Sequence, residues 1–451
     1  MRLFRFNMIS YLSIVLILVV APGDIQAVEP PANPNVIVMV SDNQGWADVG
    51  YHGSRIKTPT LDRLAAEGVR LERFYAYATC SPSRVGILLG RNPSRYDILG
   101  AIGQRSLQAI PKDAITLAGA FKLRGYATAI SGKWHLGLRP EVGPLQFGFD
   151  YTYGCLHGQI DPVGAKRYKN GDLTWHRMDQ FIEEPGHVTD LIVDEAIRVI
   201  ERWDDRPYFL YLPFNAPHGP FAGERAWSEP YENVFDEPSR RSYAGAVTHM
   251  DHGIGRVIEA LERTGQRDRT LVVFLSDNGG VPEHEKSDNY EGRYGPYPEL
   301  ADNKPLRGWF GEVYDGSIRV ISLANWPGVL EPRVVDEVTS VLDLYPTLIG
   351  LTGQSVDEAV GLEGRDIWEV LAGTGTAQAE GLYWKTSKQF AVLEGGWKLV
   401  IDRRGGETEL YKMENDPYEK VNLAARYPDR VRHLREYLAQ QRLLDPDRGK
   451  D

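Results

Sequence analysis

The chain has 451 residues, of which 42% are hydrophobic and 25% charged, and carries a formal net charge of −11. A chain of this length and balance can bury a large core without covalent staples and has room for two or three domains. Its acidity excludes a global attraction to nucleic acid, so an anionic partner has to be held by a local cationic site.

The N-terminus differs from the rest. Arg2 and Arg5 precede an apolar run from Ile9 to Ala21, broken by Ser10, Tyr11 and Ser13, and Ile25-Gln26-Ala27 ends the stretch. A basic start, a short apolar centre and a small residue at the exit read as a secretory signal peptide over residues 1–27. The run falls short of the ~20 apolar residues of a membrane span. The alternative is an uncleaved anchor. With the signal peptide removed, the protein is expected to be exported, periplasmic or extracellular, with no transmembrane domain. Cys80 and Cys155 are the only cysteines. In an exported protein two cysteines are consistent with one disulfide.

Four apolar runs then end abruptly in polar residues. Val36-Ile37-Val38-Met39-Val40 leads into Ser41-Asp42-Asn43, and Ala127-Thr128-Ala129-Ile130 into Gly132-Lys133-Trp134-His135. Tyr208-Phe209-Leu210-Tyr211-Leu212 precedes Asn215-Ala216-Pro217-His218, and Leu271-Val272-Val273-Phe274-Leu275 leads into Ser276-Asp277-Asn278-Gly279. Continuous β-branched and aromatic runs read as strands buried on both faces. Helical patterns lie between them. Thr58 is the expected cap of a helix with Pro59 in its first turn and Gly68 at its end. Further helices are predicted over Ile115 to Arg124, Val188 to Trp203 and Tyr243 to Glu262. Strands alternating with helices give a large, mainly parallel sheet covered on both faces, an α/β fold. Ligands bind such sheets at the carboxyl ends of the strands, where all four polar clusters fall.

A Gly/Thr/Ala-rich stretch over Gly373 to Ala379 reads as a linker. Short apolar runs around Tyr383, Val392, Leu399 and Leu410, separated by glycine turns, predict a small C-terminal antiparallel sheet. A helix from Pro428 to Leu443 closes the chain. The expected division is a signal peptide over 1–27, a catalytic unit over 28–375 and a C-terminal subdomain over 376–451.

The stretch Cys80-Ser81-Pro82-Ser83-Arg84, followed by Leu88-Leu89-Gly90-Arg91, resembles the signature of the type I sulfatases. In that family the cysteine is oxidised after synthesis to formylglycine, an aldehyde that hydrates to a gem-diol. The resemblance continues through Asp42 to Gly50, Lys57 to Asp62, Gly132 to Gly137, Asn215 to His218, Ser276 to Gly279, and Glu409 to Tyr411 with Asn415 to Pro417. It covers about residues 35 to 425. The wording around Asp48 to Gly68 and Gly132 to Asp150 is similar to that of N-acetylgalactosamine 4- and 6-sulfatases and bacterial arylsulfatases.

The resemblance implies an alkaline-phosphatase-like fold and a sulfuric ester hydrolase acting on a sulfated carbohydrate. It implies a maturation enzyme that converts Cys80, at a helix N-terminus whose free N–H groups favour an anion. Arg84 would brace the modified side chain. The implied metal ligands are Asp42, Asn43, Asp277, Asn278 and an oxygen from modified Cys80. Hard oxygen donors of this kind suit Ca²⁺ better than Mg²⁺. Lys133, His135 and His218 would surround the sulfate, with His218 protonating the leaving oxygen and His135 accepting the proton that releases sulfate from the modified residue.

Two positions depart from the family pattern. Asn43 stands where most relatives have Asp, which removes a negative charge. Phe310, in Pro305 to Gly311, stands where the family carries a lysine that contacts sulfate, which removes a positive one. The formal changes cancel. Lys304 and Arg307 are candidate replacements for the lysine. Trp309, with Tyr290, Tyr294, Tyr297 and Phe310, makes an aromatic-rich segment suited either to stacking on sugar rings or to ordinary loop packing. Phosphate or phosphonate ester hydrolysis, and non-catalytic binding of sulfated glycans, are the alternatives.

Overall fold

The computed structural model describes residues 30–169, 171–223, 225–292, 294–353, 361–376 and 381–446. The expected signal peptide, and residues 377–379 of the expected linker, lie outside these. Among the described residues, no helix is long and apolar enough to cross a membrane.

The central element is a ten-stranded sheet. Its strands are β1 (Asn35–Ser41), β2 (Val69–Leu71), β3 (Ala127–Lys133), β4 (Tyr151–Cys155), β5 (Trp175–Arg177), β6 (Gln180–Phe181), β7 (Tyr208–Pro213), β8 (Thr270–Ser276), β9 (Ser322–Asn325) and β10 (Arg333–Val335). In space they run β10-β2-β9-β8-β1-β7-β3-β4-β5-β6. The middle five, β8, β1, β7, β3 and β4, are mutually parallel, while β9, β5 and β6 add antiparallel edges.

The alternation of side chains explains why β1 is apolar from Val36 to Val40. Val36, Val38 and Val40 enter one core. Ile37 and Met39 enter the other, on the opposite face. The first core is covered by helices α2 (Cys80–Leu89) and α3 (Leu117–Leu123). The second is covered by α1 (Pro59–Ala66), α4 (Val188–Arg202) and α5 (Pro238–Arg263). Each fully buried Val, Leu or Ile contributes roughly 1.5–3 kcal/mol, so a single polar substitution in β1 would cost a sizeable part of the net stability.

One local expectation fails for a tertiary reason. Thr58 does not cap α1: its hydroxyl accepts from Gly50 N at 2.8 Å and donates to Asp62 at 3.1 Å. Asp251, from α5, supplies the cap instead, accepting from Thr60 N at 3.0 Å and Leu61 N at 2.8 Å. The helix ends at Ala66, before Gly68. That glycine is needed for close approach, since a Cβ there would lie 2.5 Å from the Ala324 carbonyl oxygen. Helix α5 also starts at Pro238, five residues before the periodic stretch at Tyr243.

The C-terminal sheet consists of β11 (Leu382–Lys385), β12 (Gln389–Glu394), β13 (Trp397–Asp402) and β14 (Thr408–Lys412), all antiparallel. Helix α6 (Pro428–Leu443) packs Leu434 and Leu438 on one face. The other face sends Trp384, Ala391, Val400 and Tyr411 into the core beneath the main sheet.

Candidate active site

Strands β1 and β8 are neighbours in register, with Ser41 beside Ser276. The residues that follow therefore emerge together: Asp42 and Asn43 from one strand, Asp277 and Asn278 from the other. All four are buried. Asn43 N donates to Asp277 Oδ1 at 3.2 Å, and Asn278 Nδ2 donates to Asn43 Oδ1 at 2.6 Å. Lys133, the last residue of β3, reaches Asp42 Oδ2 at 2.5 Å.

Helix α2 points its N-terminus at this group, and all ten of its residues are buried. Cys80, its first residue, places Sγ 3.5 Å from Asp42 Oδ1 and 4.0 Å from Asn43 Oδ1. One turn on, Arg84 spans the site: its guanidinium donates to Asp277 Oδ2 and to the Lys133 carbonyl, both at 2.8 Å. Cys155 is free, as is Cys80. The disulfide that two cysteines would allow, the alternative to a reactive Cys80, is absent; Cys155 Sγ faces Asn215 Oδ1 at 3.5 Å.

Ligand atoms of Asp42, Cys80 and Asp277 lie within 4.8 Å of one another. Burial, and then the charge of Asp42, raise the Asp277 carboxyl above its usual range against the opposing pull of Arg84 and Lys133. Burial opposes charge on Lys133, but Asp42, with Cys80 and Asp277 adding to it, more than offsets burial and raises the ammonium above its ordinary range. Burial also drives the Cys80 thiol far upward, with Asp42 and Asp277 adding to it. The unmodified thiol is consequently a poor nucleophile at neutral pH, because the thiolate is the reactive form. Asn278 Oδ1 is buried with no hydrogen-bond partner among the described residues. An orphaned acceptor beside two carboxylates and an amide oxygen is the donor set a hard divalent cation takes.

The two histidines face the group from different strand exits. His135 follows β3 with φ +57°, in the left-handed region that non-glycine residues occupy mainly at special sites. Its Nε2 lies 3.1 Å from the Ile102 carbonyl, and its Nδ1 has no hydrogen-bond partner among the described residues. A carbonyl only accepts, so Nε2 carries the proton and Nδ1 is left as a base. Burial, then Lys133 and Arg84, holds this ring neutral by lowering its pKa well below the ordinary range. Gly158 packs flat on the ring; a Cβ there would sit 2.5 Å from His135 Cε1. His218, after β7, gives its Nδ1 proton to the Gly219 carbonyl at 2.6 Å, leaving Nε2 as its other working atom. Burial and then Lys133 lower its pKa to about 4.

The structure does not bring the other candidate cations into this cluster. Lys304 is 83% exposed, with its ammonium 3.8 Å from Asp302. Arg307 turns toward the C-terminal sheet, donating to Tyr411 Oη at 2.6 Å and Glu409 Oε2 at 3.1 Å, and its guanidinium lies 3.9 Å from the Tyr314 ring centroid. Neither supplies the positive charge that Phe310 lacks, because each is directed elsewhere by its own neighbours. The Phe310 backbone itself lies at the site's edge: its N–H donates to Gly280 O at 3.2 Å, and Gly311 N donates to Ala78 O at 2.8 Å. Trp309 sits in the same turn, its N–H donating to Glu312 at 2.9 Å. Sequence reasoning missed Gln159 and His284, which flank Tyr294 near His218. The signal for His284 was its place six residues after Asn278, in the same strand exit.

The model of the sulfatase family matches residues 34–354, well over half of the chain. Mouse arylsulfatase J is similar at 30% identity, covering 91% of this chain and 76% of its own length. Dog N-acetylgalactosamine-6-sulfatase is similar at 29% identity, covering 85% and 74%. The crystal structure of Ps i-CgsB in complex with k-i-k-neocarrahexaose superposes with a TM-score of 0.80 at 29% identity, covering 90% of this chain and 92% of that one. The chain belongs to the sulfatase family. It is an alkaline-phosphatase-like α/β protein and a sulfuric ester hydrolase.

Proposed function

We propose that the protein hydrolyses sulfate esters of a carbohydrate at the strand-end cluster, with Cys80 matured to formylglycine and Ca²⁺ held by Asp42, Asn43, Asp277 and Asn278. The observation that carries this reading is the convergence of Cys80 with two carboxylates and the orphaned Asn278 Oδ1 in one buried group. Here Cys80 Sγ stands in for an oxygen of the hydrated aldehyde. When formed, that aldehyde hydrate supplies the nucleophilic oxygen. When bound, the cation supplies positive charge beside the sulfate oxygens.

The chain's own residues supply the rest. Arg84 fixes Asp277 and the Lys133 carbonyl, and so sets the position of the helix N-terminus against both strands. Lys133 offers N–H donors to a sulfate oxygen from a site that excludes water, where such donors act strongly. His218 Nε2 protonates the leaving oxygen. The negative charge of a bound sulfate ester raises the proton affinity that burial has lowered in the free protein. His135 Nδ1 accepts the proton whose loss releases sulfate, and its partner Ile102 holds the required tautomer. The sugar is drawn from the printed names of the similar proteins, which speak of N-acetylgalactosamine sulfate and of a neocarrahexaose. Export through a cleaved signal peptide, a maturation enzyme acting on Cys80, and the division at about residue 375 belong to the same reading.

Peptide mass spectrometry across Cys80, in protein expressed with a formylglycine-generating enzyme, tests it together with sulfate release from a sulfated oligosaccharide. Conversion of thiol to aldehyde accompanied by sulfate release is expected. Converted protein that releases phosphate but no sulfate from matched esters would sink the reading.

A further inference from the structure

The loop that leaves β8 after Asn278 returns on itself as a hairpin. His284 and Tyr297 exchange both backbone hydrogen bonds at 2.8 Å, and Ser287 N donates to Tyr294 O at 2.9 Å. The hairpin lays Tyr294 and Tyr297 on Gly219: a Cβ there would lie 3.3 Å from Cε2 of each ring. Gly219 is the residue whose carbonyl holds His218 Nδ1. The hairpin is thus seated on the backbone that orients the histidine assigned to the leaving oxygen.

A directed chain of hydrogen bonds runs through this contact. Gln159 Nε2 donates to Tyr294 Oη at 3.0 Å, and Tyr294 Oη lies 3.0 Å from His284 Nε2. The amide nitrogen can only donate, and the phenol has one proton. His284 Nε2 is the one acceptor in reach of that proton among the described residues; given to Nε2, it leaves the neutral ring's own proton on Nδ1. Burial and the neighbouring His218 keep the ring neutral by lowering its pKa to about 4. Among the described residues, the His284 side chain makes no hydrogen bond other than that with Tyr294, and Gln159 Oε1 is buried with no hydrogen-bond partner. The chain therefore ends with a spare donor on one side of Tyr294 and a spare buried acceptor on the other. A buried acceptor without a partner is costly and calls for a ligand or water. Sugar hydroxyls both donate and accept, the two functions these ends lack.

We propose that Gln159, Tyr294 and His284 form a subsite that recognises a hydroxyl of the leaving sugar, with His284 Nδ1–H as the donor. Tyr294 is a positioning residue, since it sets the tautomer of His284. The proposal rests on the hydrolytic reading above and adds to it which residues select a sugar over a simple ester.

The test compares wild type, His284→Ala, His284→Asn and Tyr294→Phe, all with Cys80 converted, on two classes of substrate. One is 4-nitrophenyl sulfate, which has no sugar hydroxyl. The other is whichever of N-acetylgalactosamine 6-sulfate and a carrageenan oligosaccharide the wild type turns over faster. His284→Ala and Tyr294→Phe should lower kcat/KM for the sugar by about 10- to 100-fold, the range for a site that leaves a polar group unpaired. They should change 4-nitrophenyl sulfate turnover by less than about threefold, the size of a minor contact. His284→Asn, which can place an amide N–H where Nδ1–H stood, should recover part of the sugar activity. An equal fall on both substrates would overturn the proposal, because it would mark a structural or general catalytic role. So would unchanged sugar kinetics, or a wild type that splits the aryl ester yet neither hydrolyses nor binds either sugar. Calorimetric binding of the same sugars to protein with Cys80 unconverted separates the two readings. If wild type releases no sulfate but loses sugar affinity on His284→Ala, the subsite stands and the hydrolytic reading falls.

Discussion

Two groups of buried charges among the described residues are built differently. The first is the strand-end cluster of Asp42, Asp277, Lys133 and Arg84. The second lies between the main sheet and the C-terminal sheet. There Lys398 Nζ sits 2.7 Å from both Asp315 Oδ1 and Glu419 Oε1, Tyr75 Oη donates to Asp315 Oδ2 at 3.1 Å, and Asp315 N donates to Glu419 Oε2 at 2.9 Å. Both groups pair lysine with carboxylates out of reach of water. The second turns its charges on one another, Glu419 Oε1 meeting Lys398 as an ion pair but without a well-directed hydrogen bond, and so fastens β13 to the segment before β9. The first leaves Asn278 Oδ1 and His135 Nδ1 without partners around a reactive position. A closed cluster fixes structure, whereas a cluster with spare atoms is prepared for a ligand.

Parallel substitutions should break this comparison apart. Lys398→Met removes the ammonium that both buried carboxylates share, leaving Asp315 only Arg319 at 3.9 Å, and should cost about 3–5 kcal/mol of stability. Urea unfolding would show it, and added calcium should not restore the loss. Recovery with calcium would mean that the second cluster is a cation site as well. Lys133→Met should instead cut kcat by about 10²- to 10³-fold, the effect of removing one preorganised donor. Its stability loss should shrink when calcium is added, because a cation beside Asp42 replaces the missing ammonium. Thermal unfolding with and without the ion checks the second half.

His218→Ala should slow release from a sugar sulfate by about 10²-fold, a typical general-acid contribution. The loss on 4-nitrophenyl sulfate should be under about tenfold, because that leaving group needs little protonation. Equal losses on both would remove the acid role. The smallest effect is expected from Asn43→Asp, which adds a charged ligand and should tighten calcium about tenfold, or ~1.4 kcal/mol. Calcium titration followed by tryptophan fluorescence would measure it. Unchanged affinity would place Asn43 outside the ligand set.

The chain's local grammar carried much of this. Apolar runs that stop at Asp42, Lys133, Asn215 and Asp277 mark strands buried on both faces, because only such strands can be apolar at every position. Cys80 to Arg84 marks a helix N-terminus through its resemblance to the sulfatase signature. The last helix, expected at about Pro428 to Leu443, spans Pro428–Leu443. Contacts between distant segments were not legible. Thr58 has the chemistry of a cap, yet Asp251, 193 positions later, does the capping, because α5 crosses the start of α1. Arg307 lies in a segment that touches the site, but Glu409 and Tyr411 turn its side chain away.

The sequence by itself determined the class of chemistry and the strands that deliver it, since both depend on residue types at short spacing. Only the tertiary structure decided which side chains face one another. It set β1 and β8 in register so that two Asp–Asn pairs meet, left Lys304 in solvent, and placed Gln159, Tyr294 and His284 in one chain of hydrogen bonds. Those outcomes depend on packing across more than a hundred residues of sequence, where no local pattern constrains the partner.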